Sequence, residues 1–471
     1  MLLLRDLPSR FQRGTYVKQL MVSVSGLRGV VGEGLTPEVI TFYAAAFGQW
    51  CRGGRVILGR DTRTSGELVR HATLAGLLAV GCEVEDVGVV PTPTIQWAVE
   101  HSGAAGGLAI TASHNPAPWN ALKFFGSDGL FLDERQGAEL QAILADGPPA
   151  WVPWDRLGRV SDRPGAADDH LQAVLKHPLF DLPAIRKGNF RVALDTVCGA
   201  GVFLIPQLLV ELGCTVVKIH SEPTGLFPHN PEPLPENLGD LCRLVRDERC
   251  DAGFAVDPDA DRLAIVDDTG TPLGEEYTLV LAARLVLAHQ KGPVVANVST
   301  TRALDDVARQ AGAPVHRSKV GEIHVVRKMQ ETGAVIGGEG NGGVIFPGVH
   351  LARDSAVGIA MTLQSLAEAK APLSHLRRTL PHYVITKRKL PLGDLDPATA
   401  LEKLAQRFTR DEQDHTDGLK INRAMGWFQV RPSNTEPILR LYAEGIDLHH
   451  AEMLAGQAEE ALKEIIAEAR R

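Results

Sequence analysis

A strand–loop–helix–strand pattern that occurs three times constrains the fold of this chain more than any other feature. Each copy opens with a β-branched run and a small-residue turn, and the openings read GRVILGRDTRTSG, FRVALDTVCGAG and GPVVANVSTT. The glycines that close the three helices are Gly81, Gly213 and Gly312. This alternation is typical of a mostly parallel sheet covered by helices. It predicts an α/β fold with three consecutive domains of similar topology and mixed, mostly parallel sheets.

The end of the chain has a different pattern. Asp396 and Pro397 open an amphipathic helical stretch, and a second helical stretch closes the chain. Between them lie the strand-like runs GLKIN, WFQVRPS and ILRLYAEG. A small antiparallel sheet flanked by helices predicts a C-terminal α+β domain. Since a domain usually has about 100–200 residues, a chain of 471 residues can hold four domains.

The Pro/Gly-rich stretch at 147–166 is the best candidate for a linker between the first two domains. The N-terminus lacks the apolar run of a signal peptide, so we expect it to be a marginally ordered extension. The predicted boundaries are 1–21 for this extension, 22–155, 165–270 and 271–373 for the α/β domains, and 380–471 for the α+β domain.

Composition and charge exclude several classes of partner. The chain has 49 basic and 57 acidic residues, so neither nucleic acid nor an anionic membrane is an expected partner. No apolar run approaches the about 20 residues of a membrane span. The six cysteines form no C-x-x-C pair and sit among apolar residues, as buried reduced thiols do. We therefore predict a cytoplasmic protein, in which any anionic ligand is bound by locally placed cations.

The first candidate site is the segment TASHNP at 111–116, which follows the apolar run GGLAI. A serine between small and hydrogen-bonding residues at a strand end can present an exposed hydroxyl, and Ser113 has this position. A capping serine or a simple turn is the alternative. Asn120 and Lys123 downstream favour the functional interpretation, because a lysine there can neutralise a phosphate or move a proton.

The second candidate is the triple aspartate of DPDADR, which follows the apolar run AGFAV. Carboxylates at i, i+2 and i+4 (Asp257, Asp259 and Asp261) converge on one point if the loop curls, and such hard oxygen ligands suit Mg²⁺. A solvated acidic turn is the alternative. A calcium-binding EF-hand loop does not fit, since Arg262 and Asp268 stand where that loop requires glycine and glutamate.

The third candidate is the glycine-rich segment GGEGNGG at 337–343. Its glycines let the backbone approach a ligand, while Glu339 and Asn341 can bond sugar hydroxyls. A flexible hairpin turn explains the segment equally well.

The fourth candidate is RPSNTEP at 431–437, between two strand-like runs. Its arginine, hydroxyls, amide and loop N–H groups can cradle a phosphate dianion. A polar connection between strands is the alternative. Two lesser segments, SGLRG at 25–29 and GRDTR at 59–63, can be Gly/Arg turns, and for the second we favour that structural role.

The four candidate segments occur in a fixed order: serine, triple aspartate, glycine–glutamate and phosphate cradle. In this order and spacing the chain resembles the α-D-phosphohexomutase family, which includes phosphoglucomutases, phosphomannomutases and phosphoglucosamine mutases. The resemblance covers the chain after Met21 and rests on the joint occurrence of all four motifs. It implies four domains around a central cleft, each of which contributes one loop.

The resemblance also implies a role for each motif. Ser113 would be a phosphorylated serine, and with Asp257, Asp259 and Asp261 it would hold one Mg²⁺ per chain. Arg28 and Lys123 would act at the reacting phosphate. The residues implied in substrate binding are His114, Arg262, Glu339, Asn341, Arg431, Ser433, Asn434 and Thr435.

The implied reaction is reversible transfer of a phosphoryl group between the 6- and 1-positions of a hexose phosphate, an isomerisation that passes through a bisphosphate. That hexose bisphosphate is also the expected activator. The sequence looks most like phosphoglucosamine mutases, which interconvert glucosamine 6-phosphate and glucosamine 1-phosphate, and the alternative is a phosphomannomutase/phosphoglucomutase. A metal-dependent sugar phosphatase and a sugar-phosphate sensor are more distant alternatives. The expected partner is the small-molecule hexose phosphate, and the expected assembly is a monomer or homodimer.

Three positions depart from the family pattern. Pro258 stands in the metal loop where glycine is commoner, and Ala121 follows Asn120 where glycine is usual. Gly343 stands where many members carry a histidine, so the resemblance supplies no histidine acid or base there. Lys123 therefore becomes the better candidate for proton transfer.

Overall fold

The computed structural model of the chain describes residues 20–24, 26–392, 395–432 and 438–469. Their strands form four separate sheets, of seven, four, five and five strands. The first three sheets mix parallel and antiparallel strands, and the last is wholly antiparallel. The predicted fold class, three α/β domains followed by an α+β domain, is confirmed.

The first sheet has the strand order β1-β2-β6-β5-β3-β4-β7, and β3 runs parallel to both β4 and β5. The elements of this unit are β1 (Leu20–Ser23), β2 (Gly26–Val30), α1 (Pro37–Trp50), β3 (Val56–Arg60), α2 (Gly66–Ala79), β4 (Val84–Val89), α3 (Thr92–Ser102), β5 (Gly106–Ile110), β6 (Trp119–Gly126), α4 (Glu134–Ala145) and β7 (Val160–Asp162). Helix α1 begins where its sequence predicts, because the Thr36 side chain accepts a hydrogen bond from Val39 N and Pro37 suits the first turn.

The two edge strands of this sheet, β1 and β7, lie where the sequence predicts the N-terminal extension and the first linker. The predicted domain boundaries themselves remain a prediction. Strand β1 begins at Leu20, so the last two residues of the predicted extension lie in the sheet, while residues 1–19 lie outside the described part of the chain. Strand β7 lies inside the predicted linker at 147–166 and pairs in parallel with β4. The linker therefore supplies a short, exposed edge strand to the first sheet.

The second sheet has the order β11-β10-β8-β9. Its unit comprises α5 (Ala166–Leu175), α6 (Leu182–Lys187), β8 (Arg191–Asp195), α7 (Gly201–Glu211), β9 (Thr215–Ile219), α8 (Gly239–Asp247), β10 (Ala252–Val256) and β11 (Leu263–Asp267). The third sheet has the order β13-β12-β14-β15-β16. Its unit comprises α9 (Glu275–His289), β12 (Val294–Asn297), α10 (Ala303–Gln310), β13 (Val315–Ser318), α11 (Glu322–Thr332), β14 (Ile336–Glu339), β15 (Gly343–Phe346), β16 (His350–Arg353), α12 (Ser355–Ala369) and α13 (Leu373–Arg378).

The fourth sheet has the order β17-β21-β20-β19-β18. Its unit comprises β17 (Val384–Pro391), α14 (Pro397–Arg407), β18 (Glu412–Asp414), β19 (Leu419–Arg423), β20 (Gly426–Pro432), β21 (Ile438–Gly445) and α15 (Leu448–Ala469). Asp396 caps α14 by accepting a hydrogen bond from Thr399 N, as the Asp-Pro start predicts. Helix α15 packs its apolar face on the sheet.

The threefold repeat is confirmed. In each copy the two predicted strands form a parallel pair: β3 with β4, β8 with β9, and β12 with β13. The closing glycines all have positive φ, between 69° and 86°. A residue with a Cβ is strained in that region, so glycine permits the sharp turn from each helix into the next strand.

The first three units are joined by a buried polar chain. Thr94 Oγ1 in α3 lies 2.9 Å from His170 Nδ1 in α5, and His170 Nε2 lies 2.8 Å from Asp354 Oδ2, just before α12. His350 Nε2 also donates to this carboxylate oxygen, at 3.1 Å. The second and third units in addition share one continuous apolar core. These contacts tie the first three units to one another.

The helices and the cysteines can be compared with the predictions made from composition. Among the described residues, none of the helices combines the length and the apolarity needed to cross a bilayer. All six cysteines are free, and five of them are buried, as predicted for reduced thiols.

Candidate active site

Loops from the first three sheets meet at one place. Ser113 follows β5, the triple aspartate follows β10, and Glu339 ends β14. Ser113 Oγ donates to Asp257 Oδ2 at 2.6 Å. On the other side of the triple aspartate, Arg353 links Asp261 to Glu339. The structure therefore brings three of the four predicted loops together at the carboxyl ends of their strands, where α/β proteins bind ligands.

Ser113 is held in an uncommon backbone conformation. Its φ is +49°, in the left-handed region that residues with a Cβ rarely adopt. The residue is buried, its N–H donates to Thr111 Oγ1 at 3.0 Å, and its Oγ lies 3.3 Å from His114 Nδ1. Strain of this kind persists when surrounding contacts over-determine it, and it concentrates at functional sites.

Those surrounding contacts come from Arg63. Its guanidinium donates to four backbone carbonyls of the serine loop, those of Ser113, Asn115, Pro116 and Trp119, at 2.5–2.9 Å. It is also paired at 3.1 Å with Asp61, which in turn accepts from Thr111 Oγ1 at 2.6 Å. These contacts agree with the structural role favoured for the GRDTR segment, since Arg63 braces the serine loop.

The three aspartates form a compact buried cluster. One ligand atom from each lies within 4.8 Å of the others. Asp257 Oδ1 accepts from the N–H groups of Asp261 and Arg262, each at 3.2 Å, which curls the loop as the spacing predicts. The solvated-turn alternative is wrong, because all three carboxylates are buried.

The electrostatics of this cluster favour a bound cation. Burial, together with the charges of Asp259 and Asp261, raises the pKa of Asp257 well above its usual value. Two carboxylate oxygens, Asp259 Oδ1 and Asp261 Oδ1, are buried with no hydrogen-bond partner among the described residues. Uncompensated buried oxygens of this kind are the hard ligands that Mg²⁺ takes. The triad therefore fits a divalent metal ion.

The metal loop is fixed by contacts from three units. The N–H of Thr92 donates to Asp259 O at 2.9 Å, and Ser355 Oγ donates to Ala260 O at 2.7 Å. Within the second unit, the N–H of Ala200 donates to Pro258 O at 2.7 Å. Ala260 itself has a φ of +54°. The loop is therefore held at three of its carbonyls.

Lys123 is a buried cation that contacts two of the three aspartates. Its Nζ lies 2.6 Å from Asp259 Oδ2 and 3.8 Å from Asp261 Oδ2. Thr92 Oγ1 donates to the same Asp259 oxygen at 2.6 Å. Burial opposes ionisation of Asp259, but the charge and the hydrogen bonds of Lys123 and Thr92 outweigh it and lower the pKa of this carboxyl.

Three further cationic or ionisable side chains line the same place. Arg28 in β2 donates to Asn115 Oδ1 in the serine loop, and burial, together with the charges of Arg262 and Arg63, lowers the pKa of Arg28 to about 10. Burial, with the charges of Arg262 and Arg28, also holds the pKa of His114 well below its usual value. The Nε of Arg262 is buried without a hydrogen-bond partner among the described residues. The guanidinium groups of Arg28 and Arg262 can therefore stabilise the negative charge of an anionic ligand at this site.

The glycine–glutamate segment is a hairpin turn between the antiparallel strands β14 and β15, as its structural alternative predicted. Glu339 is nonetheless a central group: its Oε1 accepts from Asn297 Nδ2 and Gly321 N, both at 2.9 Å. Asn341 is half-buried at the tip of the turn, and its Oδ1 accepts from Gly343 N at 3.2 Å. Asn341 Nδ2 lies 3.5 Å from Glu339 Oε2, so the two predicted side chains are neighbours.

Arg353, at the end of β16, is a site residue that the sequence analysis missed. Its guanidinium contacts three carboxylates, those of Asp261 at 2.5 Å, Glu322 at 2.8 Å and Glu339 at 3.1 Å. It thereby joins the metal loop to the glycine–glutamate turn. A Cβ on Gly343 would collide with Arg353 Cδ, so the arginine fills the space where many relatives were expected to place a histidine.

The fourth predicted loop is described only at its start. Arg431 in β20 is buried, and its Nε has no hydrogen-bond partner among the described residues. Its guanidinium carbon lies 6.0 Å from the centre of the Tyr442 ring. Ser433, Asn434 and Thr435 lie outside the described residues.

Four consecutive family descriptions match this chain. They are Phosphoglucomutase/phosphomannomutase, alpha/beta/alpha domain I at residues 20–149, domain II at 168–270, domain III at 274–383, and the C-terminal domain at 388–461. Each description falls on one of the four sheets.

Individual proteins agree with these matches. A probable phosphoglucosamine mutase of Methanopyrus kandleri is 38% identical over 451 residues, which cover 95% of this chain and 98% of that protein. A phosphoglucomutase/phosphomannomutase of Thermococcus kodakarensis is 39% identical over 428 residues, covering 89% and 93%. The crystal structure of a phosphoglucomutase/phosphomannomutase family protein from Burkholderia thailandensis has a TM-score of 0.81 at 28% identity, covering 94% and 98%.

The fold and these matches together define a phosphohexomutase, and hence an isomerase. The chain belongs to the phosphoglucomutase/phosphomannomutase family, which confirms the resemblance to α-D-phosphohexomutases.

Proposed function

We propose that this phosphohexomutase moves a phosphoryl group between the 6- and 1-positions of a hexose phosphate through a phosphoserine at Ser113. The observation that carries the proposal is the position of Ser113 Oγ, 2.6 Å from Asp257 Oδ2 at the edge of the triad. A nucleophile there shares its surroundings with a cation-binding cluster, and phosphoryl transfer needs in-line placement and neutralised equatorial oxygens above all.

Each residue then has a defined task. Ser113, Asp257, Asp259 and Asp261 would hold Mg²⁺, which would supply a Lewis acid for the phosphoryl oxygens. Arg28 and Arg262 neutralise the same oxygens, since both guanidiniums lie in this part of the site.

Proton transfer must balance the reaction in each direction. When the phosphoryl group leaves Ser113 for a sugar hydroxyl, that hydroxyl loses a proton and Ser113 Oγ gains one. We assign the relay to Lys123, because Gly343 offers no side chain and because Lys123 reaches the triad beside Ser113.

The sugar and its second phosphate are bound by the remaining predicted residues. His114, Glu339 and Asn341 contact the sugar or its reacting phosphate, while Arg431, Ser433, Asn434 and Thr435 hold the phosphate that is not transferred. Binding energy from that distant phosphate then acts at the reacting end. The intermediate bisphosphate turns over before the second transfer, and the same bisphosphate added in solution activates the enzyme.

Glucosamine 6-phosphate is the proposed substrate, with glucosamine 1-phosphate as product. The relative from Methanopyrus kandleri supports this choice, whereas the Thermococcus kodakarensis relative favours mannose or glucose phosphates as the alternative. We further propose that the enzyme is cytoplasmic and works as a monomer or homodimer.

The test is a turnover panel on the 6-phosphates of glucosamine, glucose and mannose, with Mg²⁺ and catalytic hexose bisphosphate present. We expect the 1-phosphate of glucosamine to form fastest, and intact-mass analysis to show one phosphoryl adduct on the active enzyme. Ser113→Ala should lose both the adduct and the isomerisation while keeping its melting temperature. Release of free phosphate in place of an isomer would identify a phosphatase, and binding without turnover would identify a sensor.

A further inference from the structure

A second group of metal-ligand side chains lies in the second unit, away from the triple aspartate. Asp195 ends β8, while His220 and His229 belong to the segment that follows β9. Asp195 Oδ2 lies 3.0 Å from His220 Nδ1 and 3.0 Å from His229 Nε2, so two imidazole nitrogens and one carboxylate oxygen converge. None of these residues has a task in the proposed phosphoryl transfer.

The donor set is that of a transition-metal site. Ligands at about 2.0–2.1 Å around a tetrahedral Zn²⁺ lie about 3.3 Å from one another. The two nitrogen–oxygen distances of 3.0 Å are within a few tenths of an ångström of this spacing, and all three ligand atoms lie within 4.8 Å of one another. A set of two histidines and one carboxylate also favours a transition metal such as zinc over Mg²⁺, because imidazole binds transition metals and Mg²⁺ prefers oxygen ligands.

Each histidine has an outer contact that suits metal binding. His229 Nδ1 faces the carbonyl oxygen of Asn230 at 2.8 Å, so this nitrogen keeps its proton and Nε2 is the ligand. His220 Nε2 faces the Asp240 carboxylate at 3.8 Å and leaves Nδ1 toward Asp195. Histidines that bind metals usually donate their second N–H to a carbonyl or a carboxylate, as His229 does, while the His220–Asp240 contact is an ion pair without a hydrogen bond. His229 Nε2 and His220 Nδ1 both donate to Asp195 Oδ2. Metal binding would release the proton of the first, and the proton of the second would be released or move to His220 Nε2.

Backbone contacts hold two of the three ligands, Asp195 and His220, in place. Asp195 Oδ1 accepts from Val197 N at 2.8 Å, and His220 O accepts from Cys198 N at 2.6 Å. Val197, Cys198 and His220 all have left-handed φ values, between 46° and 55°. Three strained residues around one cluster indicate a conformation that the fold imposes.

The histidines of this cluster are more exposed to solvent than those of the other His/Asp group, which contains His170, His350 and Asp354. The side chains of His170, His350 and Asp354 are at most 1% exposed, and they serve the polar chain between the domains. The side chains of His220 and His229 are 22% and 19% exposed. An ion can therefore reach the second cluster from solvent, and water can complete its coordination.

We propose that Asp195, His220 and His229 form a binding site for a zinc-class divalent cation, distinct from the site of the triple aspartate. The ion would tie the end of β8 to the segment at 220–232. That segment carries Glu232, whose Oε1 lies 3.5 Å from Arg262 Nη1 and 3.9 Å from His114 Nε2. A bound ion would thus restrict the motion of Glu232, whose carboxylate faces Arg262 and His114 near Ser113.

The experiment is a titration of the full chain with Co²⁺ or Zn²⁺ in saturating Mg²⁺, so that the triple aspartate is already filled. We expect one additional equivalent to bind, with a cobalt absorption band that shows nitrogen ligands. His220→Gln and His229→Gln should each abolish that equivalent. His71→Gln, on the exposed face of α2, is the matched control and should keep it.

Hydrogen exchange provides a second measurement that does not depend on catalysis. Added Zn²⁺ should slow exchange in the segment at 220–232 in the wild type and in His71→Gln, but not in His229→Gln. Each variant should show the wild-type melting temperature in Mg²⁺ alone, which separates lost binding from lost folding. Equal binding by the wild type and both histidine variants, or no binding beyond the Mg²⁺ site, would overturn the proposal, whichever sugar the enzyme isomerises.

Discussion

Arg353→Met removes one buried positive charge that faces three carboxylates, and its cost can be worked out from the structure. The side chain of Arg353 is 10% exposed and lies 2.5, 2.8 and 3.1 Å from Asp261, Glu322 and Glu339. In the wild type, burial already raises the pKa of Glu322, while Arg353 and the hydrogen bonds of Glu339 outweigh burial and lower the pKa of Glu339. Without the arginine, the protein must either bury an unpaired charge or protonate a glutamate.

Protonation sets the upper limit of that cost. A glutamate with an ordinary pKa near 4.5 takes up a proton at pH 7 for about 3.4 kcal/mol and at pH 5.5 for about 1.4 kcal/mol. In the variant the folded-state pKa of this glutamate lies above its unfolded value, so the stability it contributes is present at low pH and is lost as pH rises. We therefore expect Arg353→Met to lower the free energy of unfolding by about 3 kcal/mol near pH 7 and by less than half of that near pH 5.5.

Urea unfolding of both proteins at the two pH values measures this difference. Arg407→Met is the matched control, because Arg407 pairs with Glu464 and Glu468 while its side chain is 32% exposed. Exposed pairs contribute less than about 1 kcal/mol, so the control should lose little stability at either pH. Equal losses for the two variants, or a loss for Arg353→Met that does not change with pH, would refute the reasoning.

Three further variants test the proposed chemistry. Asp259→Asn should weaken Mg²⁺ binding, measured by calorimetry, and should lower the mutase rate at least about 100-fold, since it removes a ligand charge beside the transferred phosphoryl group; full activity in excess chelator would contradict this. Arg431→Ala should raise the transition-state free energy by about 2–4 kcal/mol in both directions and leave phosphorylation of Ser113 by a small activated donor intact; a normal mutase rate would remove Arg431 from the mechanism. Gly343→His should cost about 1–3 kcal/mol of stability in thermal unfolding, because the new side chain must displace Arg353; a stable and faster enzyme would show that the histidine position is still usable.

Local patterns predicted most of the fold and the triple aspartate. The βαβ repeats, the Asp-Pro helix start and the i, i+2, i+4 carboxylates each act within a few residues, so their physical consequences can be read along the sequence. The curl of the metal loop, for example, comes from hydrogen bonds between Asp257 and the N–H groups four and five residues later.

Long-range contacts account for what the sequence analysis missed. Arg353 lies 92 positions from Asp261, 31 from Glu322 and 14 from Glu339, and a single arginine at a strand end carries no motif. The carbonyls that Arg63 holds begin 50 residues away. Every residue has a backbone carbonyl, so the sequence does not show which carbonyls an arginine will contact. The GRDTR segment could therefore be assigned a structural role but not a position beside Ser113.

The short strand β7 has a consequence for any attempt to study the first domain alone. Strand β7 covers one edge of β4 with three exposed residues, Val160–Asp162, which lie beyond both residue 149 and residue 155. A fragment that stops at either residue leaves the backbone N–H and C=O groups of β4 open along that edge. Unpaired strand edges are templates for association with other chains. Such a fragment should therefore self-associate, whereas one that continues past residue 162 keeps its own edge protected.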